Sequence, residues 1–200
     1  MSTFELDNRE MEMVRDADWL LTKNRIIDKV YGLFGALQET MVAVPVIRAA
    51  AEVTMQPPKI SRGEQYLGLP YVMLDYPRSF SRERIFACRT FFWWGRFFSI
   101  TLHLAGEALA AHREQLHDLQ GRLADAGWQA CVQDDPWQHH FGPDNFRTAR
   151  SFTPAQWNSL VQKPFVKLAK QYDLEEWGRI VPVAAAEYAA LLELLKGENG

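Results

Sequence analysis

Apolar positions recur along this chain first at helical spacing and then at strand spacing. Met13, Ala17 and Leu20 fall at helical intervals, with Arg15, Asp16 and Lys23 turned outward, and Asp7 with Glu10 forms a capping box ahead of them. A second stripe runs through Ile27, Val30, Phe34, Leu37, Met41 and Val44, weakened by Gly32 and Gly35 and ended or kinked by Pro45. Residues 46–54 continue as a short helical piece. Residues 56–68, with Pro57-Pro58, Gly63 and Gly68 among polar residues, predict a connecting loop, with a lid as the alternative. Residues 69–76 predict a first strand that sets Tyr71, Met73 and Asp75 on one face and that Pro77 stops.

The densest signal is Phe91-Phe92-Trp93-Trp94-Gly95-Arg96-Phe97-Phe98, which continues into alternating Ser99-Ile100-Thr101-Leu102-His103-Leu104. Aromatic and β-branched residues suit a pleated sheet, and Gly95 supplies the positive φ of a tight turn. A two-residue turn at Trp94-Gly95 or Gly95-Arg96 gives a hairpin over residues 85–104. One face then collects Ile85, Ala87, Arg89, Phe91 and Trp93 with Phe98, Ile100, Leu102 and Leu104. The other collects Phe86, Cys88, Thr90 and Phe92 with Phe97, Ser99, Thr101 and His103. A three-residue turn would scramble this partition, because a one-residue slip flips every side chain.

Beyond the hairpin, Leu109, His112, Leu116, Leu119 and Leu123 predict a helix over 106–125 that Gly127 terminates. A strand is expected at 128–132 and an irregular segment at 133–151. Thr153-Pro154-Ala155-Gln156 starts a short helix that ends before Pro164. Residues 165–172 alternate as a strand. Asp173 and Glu176 form a third capping box, opening a helix through Trp177, Ile180, Ala184, Tyr188, Leu191, Leu192 and Leu195 that jogs at Pro182, and residues 197–200 should fray. The expected fold is α+β. It has a mainly antiparallel sheet of about 4–5 strands centred on the hairpin, packed with N-terminal, middle and C-terminal helices. Residues 1–200 are expected to form a single domain with a helical portion 7–55 and a sheet-containing portion 69–200.

Composition narrows the function classes. The chain has 200 residues, 48% hydrophobic and 24% charged, with 7 Trp and 12 Phe, so a core or a binding surface is aromatic-rich. A net charge of −3 without a Lys/Arg block argues against a nucleic-acid binder. No apolar run reaches the roughly 20 residues of a membrane helix, and the polar, acidic start is unlike a signal peptide. Two cysteines, Cys88 and Cys131, make no disulfide framework. The expectation is a soluble, cytoplasmic protein.

Four clusters carry candidate chemistry. Asp135, His139 and His140 bring carboxylate and imidazole ligands near one another, although adjacent histidines diverge and the spacing matches no zinc signature. The hairpin face with Cys88, Ser99, Thr101 and His103 allows a Cys88/His103 pair or a ligand-lining surface, against the plainer alternative of hydroxyls bonded locally. Arg89 requires a partner, either Asp75 or an acidic ligand. The aromatic tip, Trp94 included, is either core or an exposed patch for a partner or ligand. No catalytic triad, phosphate-cradling glycine loop or dinucleotide fingerprint is present, so no catalytic residue and no cofactor is assigned. The leading expectation is a non-enzymatic protein-interaction protein, a homodimer or the partner of another protein through aromatic surface. The alternative is a small-molecule-binding protein or enzyme with a pocket between the polar face of hairpin 85–104 and loop 133–146.

Overall fold

The computed structural model describes residues 4–196, and the fraying expected at 197–200 lies outside them. The fold is α+β, with one antiparallel sheet of seven strands, larger than the four or five expected. Helices α1 (Asn8–Arg15), α2 (Ala17–Ala43) and α3 (Pro45–Thr54) precede it, α2 and α3 meeting at a bend of 97°. Strands β1 (Lys59–Tyr66), β2 (Leu69–Phe80), β3 (Arg84–Trp93) and β4 (Phe97–Gly106) form a meander. Then come α4 (Glu107–Asp118), α5 (Gln120–Asp125), β5 (Gln129–Cys131), β6 (Phe146–Thr148), α6 (Pro154–Val161), β7 (Phe165–Tyr172) and α7 (Ile180–Lys196). Across the sheet the order is β1-β2-β3-β4-β7-β5-β6.

Local chemistry sets the helix starts. Asp7 and Glu10 exchange two 2.8 Å bonds at the head of α1, and Thr153 and Gln156 exchange bonds of 3.0 and 3.3 Å at the head of α6. Asp173 does not cap through its side chain: a 3₁₀ turn, Leu174–Gly178, intervenes before α7 begins at Ile180. The helix expected over 106–125 is two, broken at Leu119.

Three strand assignments change. The connector at 56–68 contains β1, a polar edge strand whose composition discourages pairing with other chains. Pro77 does not stop β2. The register slips by one residue between Asp75 and Arg78, and this bulge accommodates a residue that cannot donate to the ladder. The segment 133–151 contains β6 and a 3₁₀ turn.

The hairpin turn is three residues long. Trp93 pairs with Phe97, leaving Trp94-Gly95-Arg96 as the loop, with Gly95 at φ 64° and the Arg96 N–H donating to Trp93 O. The two strands are therefore shifted by one residue from the two-residue-turn register. One face joins Phe86, Cys88, Thr90 and Phe92 with Phe98, Ile100, Leu102 and Leu104. The other joins Ala87, Arg89, Phe91 and Trp93 with Phe97, Ser99, Thr101 and His103. The first face, with Val72, Leu74, Val166 and Leu168, packs into the main core against Ile27, Val30, Phe34, Leu37 and Met41 of α2, Leu109 of α4 and Ala184, Tyr188 and Leu191 of α7. The Tyr188 hydroxyl lies 3.2 Å from Thr90 Oγ1 and accepts from the Thr101 N–H, which satisfies these polar groups inside that core.

Candidate functional site

Among the described residues no helix packs on the second sheet face; residues 132–146 lie across it. Its centre is a polar stripe crossing the strands: Asp75 on β2, Arg89 on β3, Ser99, Thr101 and His103 on β4, Lys167 on β7 and Cys131 on β5. Aromatic clusters flank the stripe, with Phe91, Trp93, Phe97 and Tyr71 at one end and Phe146 and Phe165 at the other.

Arg89 and Asp75 form a buried bidentate pair, Nε–Oδ1 at 2.7 Å and Nη2–Oδ2 at 3.0 Å. The guanidinium also stands over the rings of Phe80 and Trp137 at 6.0 and 5.8 Å. Its Nη1 lies 3.5 Å from His139 Nε2. Arg89 is thus held by the protein itself, as the ion-pair alternative expected.

Lys167, 2% exposed, donates to the carbonyl oxygens of Pro136, at 3.0 Å, and Gln138, and stands over the Phe146 ring. The Tyr66 hydroxyl accepts from the N–H groups of His139 and His140 at 2.6 and 3.0 Å. Asn145 donates to His140 O and accepts from the Cys131 thiol. Lys163 donates to Val132 O and pairs with Asp134 at 3.0 Å. The loop is fastened along its length by groups from β1, β7 and the residue before Pro164.

Burial shapes the protonation states. His103 is driven down to about 3 by burial, reinforced by Lys167 and Arg89, and is neutral at physiological pH. His139 is pushed well below its ordinary value by the same causes. Lys167 falls to about 8 through burial and stays mostly protonated at pH 7. The Cys88 thiol is raised by burial and by Asp75, which opposes thiolate formation.

The structure separates several residues that the sequence pattern had grouped. Cys88 pairs with Leu102 on the helix-covered face, whereas His103 faces the loop, so Cys88 and His103 are not partners. Ser99, Thr101, His103 and Arg89 do share one face, a grouping that the two-residue-turn register had split. Asp135 accepts from the Trp137 N–H and from Gln138, His140 pairs with Asp144 at 2.9 Å, and His139 turns to Arg89, so these three diverge. Among the described residues, no three His, Cys, Asp or Glu side chains converge on one point. Trp94 is half-buried against Phe92 and the main core, and the other tip aromatics are buried. Lys167 and Tyr66 had no place among the expected site residues. The signal for Lys167 is a charge spaced by two from Phe165 and Ala169 on an alternating strand, the same misfit that singled out Arg89.

Exposed apolar surface lies elsewhere. Helix α1 buries no residue at all, and α2 buries none before Ile27. Val14 is 70% exposed, Trp19 49%, Leu20 52% and Leu21 55%, with Leu6, Met11 and Met13 also exposed. Met13 and Leu20, expected to face a core, face solvent. The first link from this arm to the sheet is the Lys23–Glu64 ion pair at 2.5 Å.

No single helix among the described residues is long and apolar enough to cross a membrane. Comparison with known protein families, curated proteins and solved structures finds no match for this chain.

Proposed function

We propose that this chain is a non-enzymatic interaction protein that associates with a second copy of itself through its N-terminal helical arm. One observation carries the proposal: among the described residues, the large apolar side chains of Met11, Val14, Trp19, Leu20 and Leu21 are left exposed on α1 and the start of α2, which bury no residue before Ile27. Isolated helices as short as α1 are marginal in water, so docking gives its ordering a driving force. The arm's charges favour a copy of itself. Residues 5–18 carry Glu5, Asp7, Glu10, Glu12, Asp16 and Asp18 against Arg9 and Arg15, while residues 19–29 carry Lys23, Arg25 and Lys29 against Asp28. Lys23 is already paired with Glu64, so the exposed Arg25, 3.8 Å from Asp18 of its own chain, and Lys29 are the cations that meet a partner. An antiparallel, two-fold contact sets the acidic part of each arm against the basic part of the other.

Sedimentation velocity across a wide concentration range tests this. The mass of the wild type should rise from one chain towards two. Trp19→Ser/Leu20→Gln, which alters only exposed positions, should weaken association at least about tenfold while leaving the urea midpoint of the dilute, single-chain protein unchanged. A one-chain mass at every concentration, or a variant that associates like the wild type, would overturn the proposal.

A further inference from the structure

At the edge of the helical layer, away from both the arm and the loop-covered face, is a cavity of about 220 Å³. Val46 and Ala50 of α3, Phe86 of β3 and Leu192 and Leu195 of α7 make its walls apolar. Arg84, at the start of β3, reaches into this lining, and its buried Nε has no hydrogen-bond partner. None of the ion pairs among the described residues includes Arg84. Leaving a buried guanidinium N–H unsatisfied is costly, and an anion removes that cost through charge-assisted bonds. Lys196, at the exposed rim of the lining, is already paired with Glu193 at 3.5 Å, which leaves Arg84 as the cation without a carboxylate partner there. His112, also in the lining, has its Nδ1 2.8 Å from Ala108 O, which fixes the ring with Nε2 as its remaining polar atom.

We propose that this cavity binds a small aliphatic monocarboxylate, with the carboxylate on Arg84 and the acyl chain along Val46, Ala50, Leu192 and Leu195. The volume is below the roughly 300–1,000 Å³ of sites for drug-sized ligands, which selects a short or medium chain. One guanidinium among apolar walls matches a singly charged head with an apolar tail. A bare phosphate would bring more charge and nothing to fill the walls. The planar guanidinium fork gives a carboxylate two parallel hydrogen bonds.

The test uses octanoate, octanol and inorganic phosphate as probes on the full chain, followed by ¹H–¹⁵N spectra. Octanoate should shift resonances of the lining residues in a saturable way, with octanol weaker and phosphate without effect. Arg84→Gln should weaken octanoate at least about tenfold, as expected for loss of charge-assisted hydrogen bonds. Ala50→Phe should block the cavity while leaving Arg84 in place, and it serves as the deciding variant if Arg84→Gln does not fold. Failure of octanoate to shift the lining residues, octanol binding as tightly as octanoate, undiminished binding to either folded variant, or phosphate binding in place of octanoate would each overturn the proposal.

Discussion

Replacing Asp75 by Asn keeps the side-chain shape but removes the charge that Arg89 is paired with. Asp75 is only 4% exposed, and its two oxygens take bonds of 2.7 and 3.0 Å from Arg89. Breaking a buried pair by removing one partner costs about 3–5 kcal/mol, because the other charge stays desolvated. Arg89 would retain His139 Nε2 at 3.5 Å and the rings of Phe80 and Trp137, and the Asn oxygen can still accept one bond. These leave the expected loss near the lower end, about 3 kcal/mol. Urea unfolding measures it as a lower midpoint at unchanged slope. Asp75→Leu/Arg89→Met, which removes both charges, should be more stable than Asp75→Asn alone. If the single substitution costs less than about 1 kcal/mol, or the double variant is the less stable of the two, the pair is not the buried anchor described here.

Other outcomes follow from the same geometry. His103 titrates in the fold at about 3, below its ordinary 6.5, so the unfolded chain binds more protons between these values. Stability is therefore complete above about pH 6.5 and is lost as the pH falls, by up to about 1.4 kcal/mol per pH unit. In His103→Phe the loss between pH 6.5 and 5 should shrink by roughly 1.6 kcal/mol in urea titrations, and an unchanged pH slope would contradict the burial described. Gly106 has φ +58°, and a Cβ there would sit 1.9 Å from the Glu83 carbonyl oxygen, which also accepts the Glu107 N–H. Gly106→Ala should cost at least about 2 kcal/mol in thermal melting, and a variant as stable as the wild type would show that the turn relaxes freely. Cys88 and Cys131 are both buried, so iodoacetamide should label neither in the native protein and both in urea; rapid native labelling detected by mass spectrometry would argue against these positions.

Much of the helical layer was legible because its pattern has one solution. Ile27, Val30, Phe34, Leu37 and Met41 fit a helix period only, and all five are buried in α2. The existence of the hairpin was equally plain. Its register was not, because both of its faces are apolar at the tip: Phe92 and Phe98 on one side, Phe91, Trp93 and Phe97 on the other. Alternation pins register only where one face is polar, and Gly95 supplies the positive φ for either turn length. That single-residue slip moved Cys88 away from His103 and brought Arg89 beside Thr101. Strand β1 is not legible in the sequence because edge strands with one polar face resemble loops in composition. Asp173 and Glu176 have the same spacing as Thr153 and Gln156, yet only Thr153 caps, since spacing does not fix the backbone beyond the cap. The arm's exposure is hidden for a related reason: amphipathic spacing at Met13 and Leu20 shows that a face exists, not what covers it.

The most direct test of the central claim is a cysteine at Ala17, an exposed position beside the junction of the arm's acidic and basic parts. In an antiparallel pair this residue lies close to its own copy across the two-fold axis, and the buried native cysteines do not compete for oxidation. Under mild oxidation Ala17→Cys should form a covalent dimer on non-reducing electrophoresis, while Ser151→Cys, exposed in the turn that follows β6, should stay a single chain. Equal behaviour of the two variants would contradict association through the arm.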